Sequence, residues 1–283
     1  MSSSHYADAA LVLLGHGSTL NAESALPTYQ HADELRRRGL FAQVLEGFWK
    51  QEPNLAGVLR GAFTPRVFIV PVFISAGYFT EEVLPRELGF TLSGQPPRFS
   101  RVRQLGGQSF YYCDPVGTHD SMTGVLLERA REVVARHPAS ALPAPSQTAL
   151  FIAGHGTTAN ENSRKIIEHQ VERLRQLGLY AEVHAAFMEE EPRIADCYQR
   201  AKSPNLVMVP FFISDGLHSY EDIPVMLGEP ATVVKARYRA GQPTWINPTE
   251  KHGKRVWYAP SVGTEPHLAD VVLERVREAE RNG

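Results

Sequence analysis

Uninterrupted apolar segments of strand length recur along the chain, and polar segments with the spacing of amphipathic helices separate them. The longest apolar segments cover residues 206–213 and, in the first half, the residues that begin at Val67. Apolar segments of this length without alternation are typical of strands buried on both faces of a parallel sheet. Because such strands alternate with helices, the pattern predicts an α/β fold, with a parallel sheet flanked by helices.

The pattern predicts the same series of elements in each half of the chain. A helix after the first strand is expected to end near Gly39 or Gly178, since glycine is favoured just past a helix C-terminus. Pro85 and Pro224 are expected in the first turn of a later helix, where proline is tolerated. Four strands are predicted in each half: residues 11–14, 42–48, the segment from 67 and 110–113 in the first, and residues 150–153, 181–187, 206–213 and 256–259 in the second. A last helix is predicted at residues 126–136 and at residues 268–280.

The two halves are copies of each other. His16 and His155 lie in the matching segments Leu-Gly-His-Gly-Ser and Ala-Gly-His-Gly-Thr, which are 139 positions apart, and the same offset aligns Pro71 with Pro210. A self-match at one fixed offset is typical of a duplicated domain. We therefore predict a tandem duplication with domains at residues 1–138 and 148–283, which a proline-rich linker at 139–147 connects.

The second copy contains an insertion, because the offset grows to 146 where Gly117-Thr118 matches Gly263-Thr264. Within residues 233–257 polar and apolar residues alternate, and Asn247-Pro248 and His252-Gly253 interrupt the alternation. Alternation is typical of half-buried strands, and such dipeptides are typical of turns. We predict that this basic insertion forms extended strands or a β-ribbon beside the second sheet.

Composition and charge narrow the classes of partner and the compartment. The net charge of −2 provides no general attraction to nucleic acid or to an anionic membrane. The two cysteines, Cys113 and Cys197, form no CxxC motif, so the sequence argues against a disulfide framework or a thiolate metal site. The first residues lack the basic segment and the long apolar segment of a secretory signal. A cytoplasmic protein is expected.

Three side chains of the second copy follow the ends of its first three predicted strands: His155, Glu189 and His218. The carboxyl ends of parallel strands lie along one edge of a sheet, so these side chains are expected to meet there. Two imidazoles and a carboxylate suit a divalent iron, cobalt, nickel or zinc ion, and histidine also transfers protons near neutral pH. Both roles, metal ligand and catalytic group, are therefore predicted for all three residues.

The first copy has lost most of this set. It carries His16, Lys50 and Phe79 at the positions of His155, Glu189 and His218. His16 remains a candidate metal ligand, because the Gly-His-Gly turn is kept. A hydrogen-bonded structural histidine is the alternative at each of these strand ends. We predict a degenerate site in the first copy and an intact one in the second.

Basic residues cluster after the third strand of both copies. Arginine binds carboxylates through a two-pronged pair of hydrogen bonds, so basic side chains near a metal site suit a substrate with several carboxylates. Solvated positions without a partner are the alternative. The candidate substrate-binding residues are Arg101, Arg103, Lys235, Arg237 and Arg239.

Two phosphate-related alternatives receive less support. The Gly-His-Gly turn could hold phosphate at a helix N-terminus, but its spacing fits neither the P-loop nor GxGxxG. A histidine phosphatase also begins at a histidine after a strand, but it has arginine directly before that histidine. Here the preceding residue is Gly15 or Gly154.

Taken together, these motifs resemble those of the CbiX-type sirohydrochlorin chelatases in their two-domain form, class II cobalto- and ferrochelatases of the sirohaem and cobalamin pathways. The resemblance covers both halves and is carried by Gly-His155-Gly, by Phe-Met-Glu189-(x)2-Pro and by Pro-Phe-Phe-Ile-Ser-Asp-Gly-Leu-His218-(x)3-Asp-Ile-Pro. It implies two flavodoxin-like halves that face each other, a macrocycle in the cleft, catalytic His155 and His218, and Glu189 aiding metal delivery. The sequence departs from the family pattern in one respect. In two-domain members the first half is often expected to keep the site, whereas here the second half keeps it.

The functional hypothesis is insertion of a divalent metal into a tetrapyrrole, with the histidines binding the metal and accepting the pyrrole protons. The metal is a substrate, Co²⁺ or Fe²⁺ with Ni²⁺ as a further candidate, and no organic cofactor is expected. The expected partner is the tetrapyrrole, without nucleic acid or membrane, bound to a monomer with pseudo-dimeric halves or to a homodimer. The alternative function is a non-catalytic carrier of tetrapyrrole or metal.

Overall fold

The computed structural model of the protein describes residues 5–19, 21–92, 98–139, 142–156 and 161–282. The strands in these ranges are β1 (Tyr6–Gly15), β2 (Phe41–Phe48), β3 (Arg66–Pro71), β4 (Thr91–Leu92), β5 (Arg98–Phe99), β6 (Val102–Leu105), β7 (Gln108–Tyr112), β8 (Thr148–Gly154), β9 (Glu182–Phe187), β10 (Asn205–Pro210), β11 (Thr249–Lys251) and β12 (Lys254–Tyr258). The α-helices are α1 (Leu26–Arg38), α2 (Leu55–Arg60), α3 (Leu84–Glu87), α4 (Met122–Arg136), α5 (Glu161–Gln176), α6 (Cys197–Arg200), α7 (Ile223–Met226), α8 (Ala231–Arg239) and α9 (Leu268–Asn282). Two π-helical turns, Phe79–Val83 and His218–Asp222, precede α3 and α7.

Two five-stranded sheets of the same design confirm the predicted α/β duplication. The first has the order β2-β1-β3-β7-β6, and the second, read in the same direction, has the order β9-β8-β10-β12-β11. In each sheet four neighbouring strands are parallel and the last edge strand, β6 or β11, is antiparallel. The central strands β1, β3, β8 and β10 are almost wholly apolar and buried, as expected for strands covered on both faces.

The predicted positions of glycine at helix ends and of proline at helix starts are confirmed. Gly39 and Gly178 have φ values of 62° and lie just past α1 and α5, where the left-handed conformation favours glycine. Pro85 and Pro224 lie in the first turns of α3 and α7. Strand β10 ends at Pro210, three residues before the predicted end, and residues 211–217 form the connection to the π-helical turn.

The compact units of the structure do not follow the sequence copies. The first unit comprises residues 1–119 and 266–283, and the second comprises residues 120–265. Helix α9 packs on β3 and β7 of the first unit, whereas α4 packs on β10 and β12 of the second. The domain boundaries predicted at 1–138, 139–147 and 148–283 stay a prediction, and in the structure the last helix of each copy packs on the sheet of the other copy.

Two equivalent buried arginines hold the exchanged helices in place. Arg275 of α9 is 5% exposed and donates hydrogen bonds to Pro115 O, at 2.8 Å, and to the Thr118 hydroxyl in the first unit. Arg129 of α4 is 4% exposed and donates to Thr264 Oγ1 at 3.1 Å in the second unit. A buried guanidinium requires such partners. Each helix is therefore bound to the Val-Gly-Thr turn, residues 116–118 or 262–264, of the sheet that it covers.

The prediction of extended strands or a β-ribbon is wrong for the first part of the insertion. Residues 231–239 form helix α8, in which Val234 is fully buried while Lys235 and Arg239 are exposed. The later part is a hairpin, because β11 and β12 are antiparallel and the turn between them contains His252 and Gly253 with positive φ. The single buried anchor of α8 explains the error, since a nine-residue helix with one core residue has a weak periodic pattern.

Both cysteines are buried. Cys113 and Cys197 are both free thiols in the cores of their units, and burial raises their pKa, that of Cys197 to about 12. Such thiols behave as small apolar side chains. In the described ranges no helix is both long enough and apolar enough to cross a bilayer.

Glu182 fixes the start of β9 to the chain segment that leads into β10. Its carboxylate accepts hydrogen bonds from the Lys202 and Ser203 backbone amides and from Ser203 Oγ, the last at 2.7 Å. His184, which stacks on Phe151, lies 3.2 Å from the same carboxylate. Burial alone would raise the pKa of Glu182, but these hydrogen bonds lower it from the ordinary 4.5 to about 2.

Substitution of Glu182 with glutamine is expected to lower stability in a pH-dependent way. The Glu182 carboxylate has a lower pKa in the folded protein than in the unfolded chain. Its contribution to stability is therefore fully present above about pH 4.5 and disappears as the pH falls toward 2. The gap in free energy of unfolding between the wild type and Glu182→Gln should narrow over that window. Denaturant unfolding at several pH values measures it, and a gap that does not change with pH would contradict the assignment. Gln43 occupies this position in the first unit and serves as the natural precedent for the variant.

Candidate active site

Three neighbouring strands of the second unit present the candidate side chains at one edge of the sheet. His155 directly follows β8, Glu189 lies two residues beyond β9, and His218 begins the π-helical turn that follows β10. Since β8 lies between β9 and β10 and all three are parallel, their carboxyl ends share one edge. The topology therefore accounts for the meeting of residues that are 63 positions apart in sequence.

The structure brings the two imidazoles and the carboxylate together. The ring centroids of His155 and His218 are 5.1 Å apart with an interplanar angle of 75°. Glu189 Oε1 lies 3.7 Å from His155 Nε2. Their side chains are 33%, 49% and 58% exposed for His155, His218 and Glu189, so the cluster is open to solvent.

This spacing is compatible with a shared divalent ion. Nitrogen and oxygen ligands lie about 2.0–2.2 Å from a tetrahedral zinc-like ion, which separates two ligand atoms by about 3.4 Å. The 3.7 Å between His155 Nε2 and Glu189 Oε1 is close to that value. Across the described ranges, however, no three His, Cys, Asp or Glu side chains form a group already arranged to hold a metal ion.

Packing explains why glycine stands on both sides of His155 in the Gly-His-Gly turn. A Cβ at Gly154 would lie 1.9 Å from Ile167 Cδ1, and one at Gly156, whose φ is 63°, would lie 2.6 Å from Phe187 Cβ. The His155 carbonyl accepts a hydrogen bond from the Glu189 amide at 3.1 Å. Gly156 thus lets this turn approach the end of β9, beside Glu189, whereas Gly154 leaves room for the Ile167 side chain of α5.

The two nitrogens of the His155 ring have different surroundings. Nδ1 is buried and has no hydrogen-bond partner in the described part of the chain, whereas Nε2 faces Glu189. Leaving a buried polar atom unpaired costs about 1–3 kcal/mol. Nε2 is therefore the atom that the ring presents to the open cluster.

The equivalent region of the first unit is aromatic instead of acidic. His16 Nδ1 is 2.8 Å from Gly17 O, and the rings of Phe79 and Phe73 lie 5.1 and 6.4 Å from the His16 ring. Trp49 also contacts Phe79 edge to face. Lys50 replaces the carboxylate, as the sequence shows. The metal-binding role predicted for His16 stays a prediction.

The candidate substrate-binding residues fall into two groups. Arg101 pairs with Asp114 at 2.5 Å, Arg103 donates to Leu88 O at 2.7 Å, and Arg237 pairs with Glu229 at 2.9 Å. These three side chains therefore have structural partners. Lys235 and Arg239 are exposed on α8 and form no ion pair in the described part of the chain. The contacts therefore distinguish two available cations from three engaged ones.

Sequence reasoning did not select Asp222, although it lies in the His218 motif. Its Oδ2 atom is 2.7 Å from His218 Nδ1, on the same π-helical turn. The detectable signal is the spacing of four residues between a histidine and an aspartate, which places both on one side of a helical turn.

Comparisons with known sequences agree with both copies of the chain. A family model described as CbiX matches residues 10–133 and again residues 149–279. The chain is 41% identical over 279 residues to a probable sirohydrochlorin cobaltochelatase of Halobacterium salinarum, and the match covers 95% of this chain and 91% of that protein. It is 30% identical over 139 residues to the sirohydrochlorin cobaltochelatase of Methanopyrus kandleri, covering 46% of this chain and 96% of that protein.

Solved structures show the same fold. A multi-domain protein of Deinococcus radiodurans, described as structurally similar to chelatases, matches with a TM-score of 0.78 and 33% identity; 96% of this chain is covered but only 55% of that one. The sirohydrochlorin chelatase SirB of Bacillus subtilis subspecies spizizenii, in complex with cobalt, matches with a TM-score of 0.60 and 15% identity over 97% of this chain and 96% of that one. With both copies matched and nearly the whole sequence covered, the chain belongs to the CbiX family.

Proposed function

We propose that the protein is a sirohydrochlorin chelatase that inserts cobalt or ferrous iron into the metal-free tetrapyrrole. The observation that carries this proposal is the cluster of His155, His218 and Glu189 at one sheet edge of the second unit. Family membership and relatives named sirohydrochlorin cobaltochelatase support it. The metal ion enters as a substrate, and no organic cofactor takes part.

The chemistry of insertion matches the side chains of the cluster. The reaction removes two pyrrole N–H protons and places a dication on the nitrogens that lose them. Neutral imidazole binds a dication through one ring nitrogen or accepts a proton there, which suits His155 and His218 to either task. The Glu189 carboxylate, beside His155, balances the charge of the arriving ion or accepts a proton from the imidazole.

Helix α8 provides the cations that suit the carboxylates of such a substrate. It packs beside the π-helical turn that begins with His218, and the rings of Tyr220 and Tyr238 are 6.0 Å apart across this contact. Lys235 and Arg239 are the exposed cations of this helix. We assign substrate binding to these two first, and to Arg101, Arg103 and Arg237 only if their present ion pairs and hydrogen bonds are exchanged.

The direct test is an insertion assay. Metal-free sirohydrochlorin is mixed with Co²⁺ or Fe²⁺, and the absorbance change is followed with and without the protein. Acceleration over the spontaneous rate supports the chelatase, and a series of metals that includes Ni²⁺ ranks its preference. Binding of tetrapyrrole or metal without acceleration would instead indicate a carrier. Hydrolysis of a phosphate ester would indicate a phosphatase.

Replacement of Glu189 with glutamine is expected to lower the insertion rate by about 10–100-fold, the usual cost of losing a group that supports a metal ligand. Glutamine keeps the shape of the side chain but loses its charge. The rate is measured over a range of Co²⁺ concentrations. Lys50→Gln, at the same position of the first unit, is the matched control and should change the rate less than about twofold. Equal losses in the two variants would contradict the role of Glu189.

A further inference from the structure

The hydrogen bond between His218 and Asp222 has the geometry of a histidine held by a carboxylate. The Nδ1–Oδ2 distance is 2.7 Å, and both side chains are about half exposed, at 49% and 46%. A carboxylate accepts a hydrogen bond but donates none when ionised, so the hydrogen in this contact belongs to His218 Nδ1. The other ring nitrogen, Nε2, is then left as a hydrogen-bond acceptor in the neutral ring.

The first unit shows that the turn itself does not require this pair. It forms the same π-helical turn with Phe79 and Val83 at the two equivalent positions. Phe79 lies in the aromatic cluster with His16, and Val83 is buried. Both members of the polar pair are therefore replaced together in the unit that also lacks the Glu189 carboxylate, which links Asp222 to the chemistry of His218 rather than to the fold.

We propose that Asp222 is a positioning residue that fixes the tautomer and the orientation of the His218 ring. The proposal rests on the proposed function, because the reaction needs an unprotonated nitrogen that faces away from Asp222. With the Nδ1 hydrogen held by the carboxylate, Nε2 carries the lone pair that binds the ion or accepts a pyrrole proton. Without the carboxylate, the ring rotates more freely and exchanges between both tautomers.

A purely structural role for the contact predicts a different result. Loss of an exposed pair four residues apart on a helix would then cause only a small loss of stability and no loss of insertion rate. Asp222 also makes no side-chain capping hydrogen bond to α7, so its removal does not uncap that helix. The insertion rate, and not the stability, therefore distinguishes the two roles.

The test compares Asp222→Ala with Glu221→Ala, which removes the neighbouring carboxylate of the same turn. Glu221 does not hydrogen bond His218 in the described part of the chain. We expect Asp222→Ala to insert Co²⁺ about 10–100-fold more slowly than the wild type. Glu221→Ala should stay within about twofold of the wild type, and both variants should unfold at nearly the same denaturant concentration as the wild type.

A second readout needs neither metal nor tetrapyrrole. In ¹⁵N-labelled protein at about pH 8.5, where an ordinary histidine is neutral, ring nitrogen shifts report which nitrogen carries the hydrogen. The wild type and Glu221→Ala should show His218 with hydrogen on Nδ1, and Asp222→Ala should show a mixture. Hydrogen on Nε2 in the wild type, or an unchanged insertion rate in Asp222→Ala, would overturn the positioning role alone. A wild-type protein that accelerates no insertion would overturn the proposed function, and this role with it.

Discussion

Replacing His218 with alanine is expected to lower the rate of cobalt insertion by about 10²–10⁴-fold, the usual cost of removing a group that transfers a proton. The variant loses an imidazole whose ring lies 5.1 Å from that of His155, and His155 alone cannot perform both the metal-binding and the proton-accepting role. The side chain is half exposed, so the fold should be retained. Initial rates with sirohydrochlorin and Co²⁺, corrected for the spontaneous reaction, provide the measurement.

The matched control is Phe79→Ala in the first unit. Phe79 begins the equivalent π-helical turn and packs edge to face on His16 and Trp49, so its loss removes aromatic contacts but no ionisable group. We expect a change in rate of only a few-fold, with some loss of stability. Comparable rate losses in His218→Ala and Phe79→Ala would contradict the assignment of the chemistry to the second unit.

Sequence reasoning was most successful where local patterns and the duplication support each other. The buried strands β1, β3, β8 and β10 follow from apolar segments alone, because a strand covered on both faces must be apolar at almost every position. Their parallel arrangement then brings His155, Glu189 and His218 to one edge without further information. Comparison of the two copies was the most useful signal, since Lys50 and Phe79 show that the fold requires neither a carboxylate at the position of Glu189 nor an imidazole at the position of His218.

The errors arose where tertiary packing decides between similar local patterns. Helix α8 contains Val233 and Val234, which favour strands, and its one fully buried residue, Val234, leaves no helical period to detect. The exchange of α4 and α9 could not be predicted, because the two helices share the segment Leu-Glu-Arg at equivalent positions and the sequence does not tell which sheet each one covers. The role of Asp222 depends on one side-chain hydrogen bond, which spacing permits but does not establish.

The connection that carries His218 depends on a glycine that lies 45 residues further along the chain. A Cβ at Gly263 would lie 1.5 Å from the Ile213 carbonyl oxygen, and Gly263 also donates a backbone hydrogen bond to Phe212 O at 3.1 Å. The equivalent Gly117 meets Ile74 in the same way, at 2.0 Å. This close approach holds residues 211–217 against the Val-Gly-Thr turn, and it positions the start of the π-helical turn at His218.

Gly263→Ala is therefore expected to lower the free energy of unfolding by about 3 kcal/mol or more, at the upper end for overpacking, because the atom in contact is backbone and no rotamer change relieves it. Insertion activity should fall as well, since relief of the clash moves the segment that leads to His218. The control is Gly124→Ala in α4, where a Cβ meets nothing within 4 Å and alanine should stabilise the helix by about 0.5–1 kcal/mol. Denaturant unfolding and insertion rates are measured on both variants. Equal stability of the two would show that Ile213 moves away freely, and that the position of His218 does not depend on this contact.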